Sequence, residues 1–236
     1  LRFDQWRAIS QELAEDFDID EDLYYSILPT ATQYARNAIF AGLMPLQIKE
    51  MYPELWVDEE EDEGKNLNEE MLIRRQMERY RRREEFTYNK IYDSTQVDKL
   101  LTQLATLRAP LNVLVINFID ILSHARTESR MVRELAGNES AYRSITLSWF
   151  RHTPIKELFR RSASLDYDLL VTTDHGSIRV DTPSKVVGDR NVNTNLRYKM
   201  GKHLSYTAKE VYEVRHPRAI QLTQPNLSTA YYFATV

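Results

Sequence analysis

Apolar positions follow a helical rhythm first: Trp6, Ile9 and Leu13 recur between Asp4 and Glu15, which predicts an amphipathic helix. An acidic turn, Asp16 to Asp22, leads into Leu23-Tyr24-Tyr25-Ser26-Ile27-Leu28, which reads as a strand ended by Pro29. Thr30-Ala31-Thr32 precede a helix predicted over Gln33 to Leu43 and stopped by Gly42 and Pro45. Lys90-Ile91-Tyr92 reads as a short extended piece. A helix follows over Ser94 to Leu107, with Ser94 as its cap and Val97, Leu100, Leu101 and Leu104 on one face. Leu111 to Asp120 is nearly continuous in apolar residues, the pattern of a parallel strand covered on both faces. Helices are predicted at Glu128 to Ala136, Ser140 to Arg151 and Pro154 to Ala163, then a second buried strand at Tyr167 to Gly176. Strand, helices, strand gives an α/β class with a mostly parallel sheet flanked by helices.

Two regions break this alternation. Asp58 to Glu63 is an unbroken acidic run, followed by a helix carrying Arg74, Arg75, Arg79, Arg81, Arg82 and Arg83. A solvated, self-neutralising insertion over about residues 53–93 is the simpler reading, and an anion-binding or self-association surface the sharper one. Ser228 to Val236 is aromatic and β-branched, a strand expected to find its neighbours beyond the last residue. Because Leu1 also opens directly into a helix, the chain reads as one domain over residues 1–236, cut at both ends.

Composition narrows the chemistry. With 31 Lys and Arg against 35 Asp and Glu, the net charge of −4 disfavours non-specific binding of duplex DNA. The absence of cysteine removes disulfides, thiolate metal sites and cysteine nucleophiles, so any metal must be held by His, Asp, Glu or hydroxyls. The most apolar run, Leu111 to Leu122, is interrupted by Asn112, Asn117 and Asp120 and is too short to span a bilayer. A cytoplasmic protein is the reading.

In an open α/β sheet, ligands gather at the carboxyl ends of strands, and three such ends carry polar residues. Asp120 and His124 stand four apart, so one helical turn brings them to one side, and an oxygen with an imidazole nitrogen suits zinc or manganese. A capping Asp with a surface His explains the same pair. Asp174-His175 would point to opposite faces of a straight strand, so the chain must bend for both to meet one ion, which Gly176 permits. Thr32 reads alone as a helix N-cap; beside a metal it becomes a nucleophile. Asn195 to Lys202 sets Arg197, Lys199 and Lys202 around Gly201 without P-loop spacing, which leaves phosphate contact and plain surface basicity both open.

Threonine turn, D-x-x-x-H and D-H-G, each after an apolar run, resemble the alkaline phosphatase superfamily. The stretches LPTATQYARNAIFAGLMP, NFIDILSHART, SAYRSITLSWF, TTDHGSIRV and GDRNVNTNLRYKMGKHLSY resemble, more closely, the PglZ domain of PorX-type response regulators. This resemblance implies an alkaline-phosphatase-like fold and a phosphodiesterase with two zinc ions, manganese being the alternative. Its P-x-x-T motif, with a glycine ten residues later, falls on Pro29, Thr32 and Gly42 and makes Thr32 the nucleophile, with Thr30 as the fallback. Asp120 and His124 then hold one ion, and Asp174, His175 and Thr32 the other. The resemblance further implies short oligonucleotide substrates of the oligoadenylate type, with Arg197, Lys199 and Lys202 as substrate contacts. It implies an upstream receiver domain, allows a homodimer, and places the protein in control of type IX secretion. The family's first-strand Asp would precede Leu1 and its last His would follow Val236, so the chain alone is expected to bind metal weakly. A catalytically silent interaction module and a phosphomonoesterase are the rival readings.

Overall fold

A computed structural model describes residues 1–58, 66–107, 109–178, 180, 182–188, 192–193 and 195–235. The acidic run is described only at Asp58; the rest of it lies outside these residues. The chain divides into two compact units, each assembled from two separated stretches: residues 1–24 with 84–177, and residues 25–83 with 178–236.

In the first unit, α1 (Phe3–Leu13) buries Ile9 and Leu13. β1 (Phe86–Ile91) and β2 (Leu111–Ile116) form a parallel pair in register from Phe86↔Leu111 to Ile91↔Ile116. Between them α5 (Ser94–Gln103) buries Val97 and Leu100. Its cap is Asp93 rather than Ser94: the carboxylate accepts from the amides of Thr95 at 2.9 Å and Gln96 at 3.2 Å, while Gln96 Oε1 accepts from the Tyr92 amide. After β2 come α6 (Phe118–Glu128), α7 (Arg130–Leu135), α8 (Glu139–His152) and α9 (Pro154–Ser164). The Asn138 side chain caps α8 by accepting from the Ala141 amide at 2.8 Å, and Pro154 opens α9 at the one turn that needs no donor. Ile9, Leu13, Val97, Leu100, Phe150 and Leu158 meet in this unit's core.

In the second unit, α2 (Thr32–Ala41), α3 (Pro45–Met51) and α4 (Glu69–Arg79) accompany a three-stranded antiparallel sheet. Its order is β4 (Tyr198–Gly201), β7 (Ala230–Ala234), β6 (Val211–Val214). β7 therefore has neighbours on both edges within the chain, correcting the expectation that they lie beyond its last residue. Alternation along β7 feeds two clusters. Tyr231 and Phe233 join Tyr34, Tyr198 and Leu72, whereas Ala230 and Tyr232 join Leu204 and Val211. A short antiparallel pair, β3 (Val186–Val187) with β5 (Ser205–Tyr206), completes the described strands.

The α/β class is observed, but the mostly parallel sheet is not: among the described residues one small sheet is parallel and two are antiparallel. Residues 23–28 and 167–176 are not laddered strands. Leu23, Tyr24 and Tyr25 are exposed, whereas Tyr167, Leu169 and Val171 pack on the first unit's core and Leu170 between them is 90% exposed. The apolar rhythm is that of an extended chain, but a strand also needs a hydrogen-bonding neighbour, which rhythm does not specify. The arginine-rich helix also departs from a uniformly solvated face. Arg79 Nη2 donates to the Ala41 carbonyl at the C-terminus of α2, and Arg36 reaches the buried Glu69 at 3.3 Å.

Candidate functional site

The threonine turn belongs to the second unit. Thr32 is the first residue of α2 and Ala31 its N-cap, so Thr32 stands one position inside the helix rather than capping it. Three side chains fix this turn. Tyr34, 1% exposed, meets Tyr198 edge-on at 5.9 Å and Trp56 at 5.6 Å. Gln33 Nε2 donates to the Val57 carbonyl at 2.6 Å. Arg197 Nη1 donates to the Thr30 carbonyl. Arg197 therefore sits at the threonine turn with one of its donors spent on backbone. Lys199 donates to the Asn193 carbonyl at 2.9 Å, and Lys202 is exposed.

The two Asp–His pairs belong to the first unit. The chain leaves β2 at Asn117 and enters α6, so Asp120 lies in that helix's first turn with His124 one turn on. Asp120 Oδ2 and His124 Nε2 are 3.8 Å apart on an exposed face. The N-cap of α6 is Asn117, so Asp120 is not the capping residue.

Asp174 and His175 occupy a bend, and Asp174 Oδ2 lies 3.9 Å from His175 Nε2, both side chains nearly buried. The bend that brings both to one side is supported by Asp174 Oδ1 accepting from the His175 amide at 3.0 Å and by Thr173 Oγ1 donating to the His175 carbonyl at 2.9 Å. Tyr24 donates its hydroxyl to the Thr173 carbonyl, a contact the sequence pattern did not signal because Tyr24 reads there as a strand residue. Gly176 is not at positive φ, so the bend does not depend on its being glycine. His175 Nδ1 lies 3.0 Å from the Gly176 carbonyl. A carbonyl oxygen only accepts, so a neutral His175 that keeps this bond carries its proton on Nδ1 and leaves Nε2, 3.9 Å from Asp174 Oδ2, as the nitrogen able to ligate. Backbone orientation of this kind is the usual support of a metal-ligating histidine.

A tetrahedral zinc with ligands near 2.1 Å sets neighbouring donors roughly 3.4 Å apart. Donor separations of 3.8 and 3.9 Å thus fit two ligands of one ion after a small side-chain rotation. Oxygen and imidazole donors suit such an ion. Among the described residues, no three His, Asp or Glu side chains form a metal-holding group. Of the other histidines, His152 Nδ1 lies 2.7 Å from the Ser148 carbonyl and His203 is an exposed turn residue at φ 51°.

A family model described as the BREX system PglZ alkaline phosphatase-like domain matches residues 1–231. The chain belongs to the PglZ family. No curated protein matches it. This PglZ domain is thereby of a phosphoesterase-type superfamily whose members are typically metal-dependent hydrolases. Among its described residues no helix is long and apolar enough to cross a membrane.

Proposed function

We propose that this PglZ domain is a metal-dependent phosphodiesterase with the Thr32 hydroxyl as nucleophile. The family match over residues 1–231 carries the reading, and the two Asp–His pairs with facing donors support it. Asp120 and His124 would hold one zinc, and Asp174, His175 and Thr32 a second, with manganese as the alternative. Bound there, such ions draw charge from phosphoryl oxygens and from a hydroxyl.

The chain's own residues supply the remainder. Thr32 opens α2, whose first-turn amides and dipole favour the negative charge of a phosphoryl group beside the hydroxyl. Attack of Thr32 Oγ1 on phosphorus forms the O–P bond as the ester oxygen leaves, and water then cleaves the phosphothreonine and restores the hydroxyl. Arg197, Lys199 and Lys202 offer cations along a phosphate chain. The likeness to PorX-type sequences supports the finer reading. It comprises oligoadenylate-type substrates, an upstream receiver domain, a homodimer, a cytoplasmic location and control of type IX secretion.

The test is metal content together with hydrolysis of bis-p-nitrophenyl phosphate and p-nitrophenyl phosphate by the full-length protein, its Thr32→Val variant and the Thr32→Ser rescue. Two zinc ions per chain and diester turnover, abolished in Thr32→Val and partly restored in Thr32→Ser, is the expected result. Turnover of the monoester alone makes it a phosphomonoesterase. No metal and no turnover make it a catalytically silent interaction module.

A further inference from the structure

α6 carries Asp120 and His124, yet none of its residues is buried. Phe118, Leu122 and Ala125 form an apolar stripe on one side that is only half-buried, a weak restraint on the rotation of the helix about its own axis. Arg133 of α7 adds a hydrogen bond to the Thr127 carbonyl at 2.6 Å, and a set of side-chain tethers joins α6 to α8. At the start of α6, Phe118 stacks on Trp149 with centroids 4.1 Å apart and planes inclined by 2°. One residue on, the hydroxyl of Tyr142, itself 1% exposed, donates to the Ile119 carbonyl at 3.4 Å. At the other end the Arg126 guanidinium lies 4.2 Å from the Tyr142 ring centroid and donates to Glu139 Oε1 at 3.2 Å.

The other Glu139 oxygen accepts from Arg2, which is bound in turn to Asp4, and Arg143 also reaches Asp4 at 3.1 Å. Burial alone would raise the Glu139 pKa, but hydrogen bonds from Arg2 and Arg126 hold it below its ordinary value, so the carboxylate stays charged. At 100° per residue, Arg126 lies roughly 140° around the helix from the Asp120–His124 face. The tethers therefore grip the back of α6 and leave the paired donors facing outward.

We propose that Arg126, bridged by Glu139 and stacked on Tyr142, is a positioning residue that sets the rotation of α6 and so the aim of the Asp120–His124 pair. The inference rests on the reading of that pair as metal ligands. It names no further ligand and adds no chemical step; its effect is on how well the pair is presented to an ion.

The experiment is isothermal titration of the full-length protein with Zn²⁺, with helix content followed by circular dichroism. The set comprises wild type, His124→Ala, Arg126→Ala, Arg126→Lys, Glu139→Gln and the control Arg130→Ala, which changes a side chain 90% exposed on α7. Arg126→Ala is expected to weaken zinc binding about tenfold at unchanged helix content, the scale of losing an outer-shell support. Arg126→Lys should lie between it and wild type, and Arg130→Ala should match wild type. A purely structural role would lower stability and leave the zinc affinity of the folded protein unmoved. If Arg126→Ala does not fold, Glu139→Gln, which keeps size and removes the charge, decides in its place. Weaker binding in His124→Ala with none in Arg126→Ala or Glu139→Gln overturns the positioning role alone. Unchanged binding in His124→Ala overturns the metal role of the pair, and the proposal with it.

Discussion

Replacing Gly42 by alanine should cost about 2 kcal/mol, and the structure says where the cost arises. Gly42 closes α2 at φ 58° and ψ 36°, the left-handed region, with its amide donating back to the Ile39 carbonyl at 3.3 Å. A side chain in that conformation costs about 1–2 kcal/mol. An added Cβ would also fall 2.5 Å from Gln76 Nε2 and 3.3 Å from Arg79 Nη2. The Gln76 amide swings away cheaply. Arg79 is less free, because the same nitrogen donates to the Ala41 carbonyl, a charge-assisted bond worth about 1.5 kcal/mol that the shift would weaken. Against these stands a gain of about 0.4–1 kcal/mol from stiffening the unfolded chain. Gly176→Ala supplies the contrast: its φ is not positive and its Cβ would meet nothing within 4 Å, so only the favourable part remains. Urea unfolding followed by circular dichroism should give a lower midpoint for Gly42→Ala at an unchanged slope, and an equal or higher midpoint for Gly176→Ala. A Gly42→Ala protein as stable as wild type, or a reversed order of the two variants, would refute the argument from backbone conformation.

Other consequences can be checked alongside. The Arg151 and Lys156 side chains hold Glu12 at a pKa of about 2, below its ordinary 4.5, so this carboxylate stabilises the fold above pH 4.5 and the contribution is lost as pH falls toward 2. With Arg151 half exposed, Glu12→Gln should cost about 1 kcal/mol at pH 7 in urea melts, and the gap from wild type should close near pH 2. Tyr231→Phe removes a buried hydroxyl that donates to the Thr223 carbonyl at 2.9 Å and lies 3.2 Å from the Tyr34 hydroxyl, so it should lower stability by about 1–2 kcal/mol in the same assay. A chelator should abolish diester hydrolysis and Zn²⁺ should restore it; activity that survives exhaustive chelation would remove the metal from the mechanism.

Local rules were the legible part. The span of α2 follows from its flanking threonines and glycine, and the ten-residue spacing from Thr32 to Gly42 is the length of that helix with its left-handed cap. The Asp120–His124 pairing follows from helical geometry alone. The cap of α5 lies one residue before the expected Ser94: Asp93 and Ser94 are both good caps, and the backbone amides of Thr95 and Gln96 meet the carboxylate. Residues 23–28 and 167–176 have the composition of strands, but pairing is a property of two segments and is not written in either one. The inward role of Arg79 was equally invisible: a run of arginines looks solvated until one of them is found against the end of α2. The tethers on α6 gave no signal either, because Phe118, Arg126, Glu139 and Tyr142 stand at no shared period.

The interleaving of the two units has a consequence for synthesis. Each unit is made of two stretches, and the second stretch of one begins only after the first stretch of the other has been made. A growing chain therefore holds residues 25–83 incomplete while the first unit closes around residues 84–177. β7 is the central strand of its sheet, so β4 and β6 have no partner until the last described residues emerge from the ribosome. Tyr34, Tyr198 and Leu72 remain without that strand's aromatic face throughout this interval. A ribosome paused before residue 230 would hold a finished first unit beside an open apolar surface, the form most prone to chaperone capture or aggregation.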